Sequence, residues 1–230
     1  FRDNYNRYLF NVRASYANEA QRIVQQQLVV GITRLAMVYQ DDGFGNALMT
    51  EVKNAAQARK LDLPTFVKID PKAPDFKAAA AAIVQADPQA VVMGTAGATF
   101  TGFVKALNAT ASHPVIYGFS VVSTDMLNRE LGTAARGIVL AQIMPSLRNP
   151  SVPVVQEYLR LTKAKGPDAK PSTSHFEGFI PAKILVEALK RAVKNMSNES
   201  FITGLETGAD IRLGQSLAHY SPHTHTCPSS

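Results

Sequence analysis

Short apolar runs alternate with amphipathic segments of helical length along the first two thirds of the chain. Leu35 to Tyr39, Leu63 to Ile69, Ala90 to Met93, Val115 to Tyr117 and Ile138 to Ile143 are the apolar runs. Leu35 to Tyr39 has few polar interruptions, which marks a strand buried on both faces. Between them apolar positions recur at helical spacing: Ala20, Ile23, Val24 and Leu28 within Asn18 to Val30, and Leu48, Val52, Ala55 and Ala56 within Asn46 to Lys60. The pattern predicts further helices from Asp75, as N-cap, to Gln85, from Thr99 to Thr110 and around Asp125 to Leu131. Parallel strands need crossovers of about a dozen residues. The alternation therefore predicts a doubly wound α/β lobe, a parallel sheet with helices on both faces.

Past Pro145 and Pro150 the pattern changes. Helices are predicted over Pro153 to Lys165, Phe176 to Val193 and Ser200 to Glu206, with Gln215 to Tyr220 as the one strand. The apolar stripe Ile184, Leu185, Ala188 and Leu189 then has no sheet in this chain to cover it, so a part of the protein is expected to be missing. The termini agree with that expectation: FRDNYNRYLF has neither an initiator Met nor a signal segment, and PHTHTCPSS completes no element.

With 46% hydrophobic and 18% charged residues among 230, the chain can bury a core and is not disordered. Its longest apolar run, Ala78 to Val84, falls well short of the roughly 18 residues that suggest a membrane span. The net charge of +6 raises the question of an anionic partner. Lys53, Arg59, Lys105, Arg160 and Lys163 are scattered over helix surfaces, and the group Lys190, Arg191 and Lys194 ends a helix, where cations suit the dipole. Aromatic and basic residues do not interleave, so no nucleic-acid partner is expected. A single cysteine, Cys227, permits no internal disulfide.

Ligands of open α/β sheets lie beyond the carboxyl ends of the strands, which directs attention to the loops there. In Asp41-Asp42-Gly43-Phe44-Gly45, the paired carboxylates could hold Mg²⁺ or an ammonium group, with Phe44 as an apolar wall. The competing reading is a turn whose aspartates are solvated or cap the next helix. Gly94-Thr95-Ala96-Gly97-Ala98-Thr99 opens a helix and could meet an anion, or could serve close packing alone; it lacks both GxGxxG and GK[ST]. Gly118-Phe119-Ser120 is the third loop, and Ser120 stands in no G-x-S-x-G elbow. His219, His223, His225 and Cys227 have zinc-binding side chains, but the spacing H-x-x-x-H-x-H-x-C fits no structural zinc pattern. No metal and no cofactor are expected.

Four segments carry a resemblance: FNVRASYANEAQRIVQQQLVVGITRLAMVYQDDGFGNAL, DFKAAAAAIVQADPQAVVMGTAG, YGFSVVSTDMLNRELGTAARGIVLAQIMPS and FEGFIPAKILVEALKRA. In this order, over about residues 7 to 225, they resemble the leucine/isoleucine/valine-type periplasmic solute-binding proteins of bacterial ABC importers. The resemblance implies the type I periplasmic binding protein fold, two α/β lobes closing on a ligand. It implies that residues 1–13 form a hinge crossover, 14–144 a complete ligand-binding lobe, and 145–230 the returning helices and part of the first lobe.

The resemblance also implies the function. The protein would be a non-catalytic receptor that captures an amino acid or similar carboxylate and delivers it to an inner-membrane permease. It would work in the periplasm, with a signal peptide upstream. A two-lobed sensing domain of a receptor or regulator is the alternative; a Rossmann-like enzyme lacks its fingerprints. Asp42, Phe44, Thr95, Ala96, Phe119 and Ser120, all from the three loops above, are the ligand-binding candidates, and three of them carry over from the resemblance. Phe44 falls where an aromatic contacts the ligand. Ala96 replaces a tyrosine of several members. Ser120 stands where branched-chain binders place a glutamate for the ligand's ammonium. One consequence is that Asp41 or Asp42 would supply that charge, or that the ligand carries no ammonium.

Overall fold

The computed structural model describes residues 5–61, 65–193, 196–207, 211–212, 217–218 and 220–225. Ser15–Gln142 forms one compact unit, and the segments flanking it in sequence form a second.

The first unit follows the apolar alternation. Its elements are α1 (Tyr16–Val29), β1 (Leu35–Gln40), α2 (Gly43–Gln57), β2 (Thr65–Ile69), α3 (Phe76–Ala86), β3 (Ala90–Gly94), α4 (Gly97–Asn108), β4 (Val115–Gly118), α5 (Thr124–Leu131) and β5 (Val139–Leu140). All five strands are parallel, in the order β2-β1-β3-β4-β5. Side chains alternate across a strand, and the two faces of the sheet build two cores. Ala36, Val38, Val91, Met93 and Ile116 pack with residues of α3 and α4. Leu35, Met37, Ala90, Val92 and Tyr117 pack with residues of α1 and α2. Each buried Val, Leu, Ile, Phe or Met side chain stabilises such a core by about 1.5–3 kcal/mol.

Local chemistry fixes where the helices begin. Ser15 accepts the backbone N–H of Asn18, whose side-chain oxygen accepts the N–H of Ser15, so a capping box opens α1. Asp75 caps α3 by accepting from Ala78 N, as its residue type predicts. The largest shift of a helix start in this unit is at α2, expected from Asn46. It starts at Gly43, because the Asp42 carboxylate accepts the Gly45 N–H and turns the supposed loop into the first helical turn.

Tyr117 reports on the core of this unit. Burial pushes its phenol above the ordinary tyrosine value. Its contribution is fully present below the unfolded phenol's pKa of about 10 and is lost as pH rises through the higher folded value. Tyr117→Phe is expected to reduce the loss of stability between about pH 8 and about pH 11, read as the shift in urea midpoint; an unchanged shift would remove Tyr117 from the alkaline transition.

In the second unit, α6 (Pro153–Ala164), α7 (Thr173–Ala192) and α8 (Asn198–Glu206) surround a separate core that includes Val155, Tyr158, Phe176, Ile180, Leu205 and Tyr220. Pro153 opens α6 at its first turn, where a missing N–H costs nothing. A short antiparallel pair, β6 (Ile211–Arg212) and β7 (Leu217–Ala218), follows. The stripe expected to lie bare is split. Ile184 and Ala188 are buried in this core, while Leu185 and Leu189, one position further round the helix, are exposed. No helix among the described residues is long and apolar enough to cross a membrane.

Candidate functional site

The carboxyl ends of β1, β3 and β4 carry the three predicted loops to one rim of the sheet. At the first, Asp42 serves the fold with both oxygens: Oδ1 accepts from Gly45 N at 2.8 Å and Oδ2 from Gln40 Nε2 at 2.6 Å. Asp41 is exposed and pairs with Lys68 Nζ at 2.9 Å, which raises the lysine's pKa above its ordinary value. Phe44 is half-buried and meets Tyr16 edge-on, with ring centroids 5.8 Å apart. Tyr16 meets Phe119 at 6.0 Å in the same geometry.

At the second loop Thr95 is fully buried and Ala96 partly so. Ala96 is the N-cap of α4 and has no side chain to cap it. Its own N–H donates to Gln40 Oε1 at 3.2 Å. Gln40 thus ties the loop after β1 to the loop after β3, across the point where the strand order reverses. A Cβ on Gly94 would meet Met37 Cε at 2.6 Å and the Cβ atoms of Tyr39 and Leu48 at 3.2 and 3.3 Å, so the end of β3 packs closely on β1 and α2.

At the third loop Phe119 is fully buried and Ser120 partly buried. Ser120 donates twice to one carboxylate, from N to Glu19 Oε2 at 2.8 Å and from Oγ to Glu19 Oε1 at 2.9 Å. Glu19 lies on α1 and is only 4% exposed. Thr95 and Phe119 therefore floor the rim, while Phe44, Ala96 and Ser120 reach its surface.

Gln40 and Glu19 escaped the reading of the sequence. Glu19 had left a trace, an acidic residue beside Ala20 and four before Ile23, on the buried stripe of α1. Gln40 had left none beyond its place at the end of a strand. Two grooves, of about 390 and 260 Å³, lie at the opposite end of the sheet and share Ser112, His113 and Pro114. That end carries strand amino termini, so the rim is the better candidate.

In the second unit, His225 Nε2 lies 2.9 Å from Glu206 Oε1, and Nδ1 lies 3.3 Å from the Asn6 carbonyl oxygen. The imidazole stacks on Phe10 with centroids 3.8 Å apart. His223 is exposed, and His219 and Cys227 fall outside the described residues. Among the described residues no cluster of side chains could hold a metal ion.

The profile of the periplasmic binding protein family matches residues 2–225. The chain belongs to the periplasmic binding protein family. Solved members of this fold agree. A substrate-binding periplasmic protein from Ralstonia solanacearum superposes with a TM-score of 0.84 at 26% identity, over 98% of this chain and 64% of that one. A possible leucine/isoleucine/valine-binding protein from Rhodopirellula baltica SH 1 gives 0.83 at 25% identity, over 97% and 63%. A fatty acid ABC transporter substrate-binding protein from Thermomonospora curvata gives 0.75 at 20% identity, over 96% and 61%. The chain thus spans under two thirds of the length of these periplasmic binding protein structures. No curated protein matches it.

Proposed function

We propose that this chain belongs to a non-catalytic receptor of an ABC importer, working in the periplasm and capturing a small carboxylate, an amino acid above all, for a membrane permease. The family match across residues 2–225 carries the reading. The leucine/isoleucine/valine-binding relative supports the ligand class. In this reading residues 14–144 are the complete ligand-binding lobe, 1–13 a crossover segment and 145–230 part of a second lobe. Phe44, Ala96 and Ser120 present the ligand-facing surface, with Asp42, Thr95 and Phe119 fixing the loops beneath it. Calorimetric titration with amino acids and simple carboxylates is expected to show one ligand bound and recovered unchanged. Chemical conversion of the bound ligand would overturn the reading.

A further inference from the structure

The end of the sheet opposite the rim carries chemistry that the receptor reading leaves unused. The groove of about 390 Å³ there is committed to the fold: Asp87 pairs with Arg34 at 3.7 Å, and Gln89 Oε1 accepts the backbone N–H groups of Thr33 and Arg34. The groove of about 260 Å³ is different. It lies between the end of α4, the loop into β4 and the turn 132–138 before β5, and no acidic residue lines it. Arg136, His113, Ser112 and Asn108 do line it, and their side chains make no hydrogen bond or ion pair among the described residues. A guanidinium is a permanent cation with five N–H donors, and an imidazole offers an N–H in its neutral form as in its charged one. The carbonyl end of α4 does not claim Arg136, because Thr110 already closes on the Leu107 carbonyl, through its N–H at 2.9 Å and its hydroxyl at 2.7 Å.

The walls add a second requirement. Leu107 and Ile116 are buried and Ile138 is half-buried, so apolar side chains stand beside the donors. The volume lies just below the roughly 300–1,000 Å³ of pockets for drug-sized ligands, which limits the occupant to a short molecule. Inorganic phosphate matches the charge and leaves the apolar wall in water. A short aliphatic carboxylate answers both, since the planar fork of an arginine takes a carboxylate through two parallel hydrogen bonds and each buried methylene adds to binding. We infer that this groove is a second ligand site, distinct from the rim, for a small carboxylate with an aliphatic chain: Arg136 anchors the charge, His113 adds a donor, and Leu107, Ile116 and Ile138 cover the chain. The site is built wholly within Ser15–Gln142 and stands independently of the receptor reading.

Titrating sodium hexanoate into the isotope-labelled full chain and following backbone amide NMR shifts both locates the site and measures it. Shifts are expected to move together at His113, Arg136 and Ile138, with a Kd of about 1 mM or below. Hexan-1-ol keeps the chain without the charge, and inorganic phosphate keeps the charge without the chain. Each is expected to bind about tenfold more weakly or worse. Arg136→Gln removes the charge and no bond of the fold, so its melt should match the wild type while hexanoate affinity at the groove falls about tenfold or more, the size of a hydrogen bond to a charged group. His113→Ala, expected to cost about threefold, carries the comparison if Arg136→Gln melts early. Hexanoate also suits the receptor reading, and the shifts separate the two. Movement at both ends of the sheet, with only the groove set lost in Arg136→Gln, supports the second site. Movement confined to Phe44, Ala96 and Ser120 overturns the second site and leaves the receptor reading standing. No movement at His113 and Arg136 up to about 20 mM hexanoate overturns it as well. So do groove shifts that Arg136→Gln leaves unchanged, or phosphate binding as tightly as hexanoate, since the anchor or the apolar wall then contributes nothing.

Discussion

Gly45→Ala is expected to destabilise Ser15–Gln142 by about 3 kcal/mol or more, at the upper end of what overpacking costs. Gly45 sits in the first turn of α2, where the helix passes over the last residue of β1. A Cβ built there overlaps the Gln40 carbonyl oxygen and stands 2.8 Å from both its carbonyl carbon and its nitrogen. Those are backbone atoms of a paired strand and cannot rotate away, so strand or helix must shift. The displacement also moves Gln40, and with it the bonds to Asp42 and Ala96. Gly43→Ala is the control: nothing lies within 4 Å of its built Cβ, and Gly→Ala in a helix is neutral or stabilising by up to ~1 kcal/mol. Urea midpoints of the two variants check the pair. Equal stabilities would mean that α2 does not approach β1 as described.

His225→Ala is expected to cost about 3 kcal/mol in the second unit, because it leaves the buried Glu206 side chain without its hydrogen-bond partner and removes a packed ring. The side chains of His225 and Glu206 are 3% and 5% exposed. The substitution also removes the ring stacked on Phe10 and the contact with the Asn6 carbonyl. Backbone binding holds the same region, with Asn11 N donating to the His225 carbonyl at 2.7 Å, and survives the change. Arg7 and Glu199 form a neighbouring pair, but it is exposed, and Arg7→Ala should change little. Denaturant titration followed by a probe in the second unit distinguishes the two. An unaffected His225→Ala would show that Glu206 finds solvent or another partner without cost.

The sheet was legible because buried parallel strands write their burial into the sequence as unbroken apolar runs. Leu35 to Tyr39 and Ala90 to Met93 each lie within one residue of the observed strands. The prediction weakened where burial weakens. Ile138 to Ile143 shortens to Val139–Leu140 at the sheet edge, where Val139 is exposed. Ile211–Arg212 is two residues long and has no periodicity to read. The start of α2 was hidden because Asp-Gly reads equally as a turn and as a helix cap, and only the Gly45 N–H decides. The rim was found by topology, since loops after parallel strands gather at one end. What could not be read was pairing at a distance. Nothing near Ser120 announces that its proton goes to Glu19, and nothing near Ala96 announces Gln40.

The Gln40 bridge has an entropic consequence. One side chain, held at both ends, joins the cap of α2 to the cap of α4, so two loops that would otherwise sample conformations independently are frozen together before any solute arrives. Ordering side chains and loops on association costs about 0.5–1.5 kcal/mol for each mobile group. A rim already immobilised by its own amide forgoes most of that penalty. In the receptor proposed above, affinity then depends on how well the solute fits the fixed pattern of donors and acceptors, not on how far the surface can adapt.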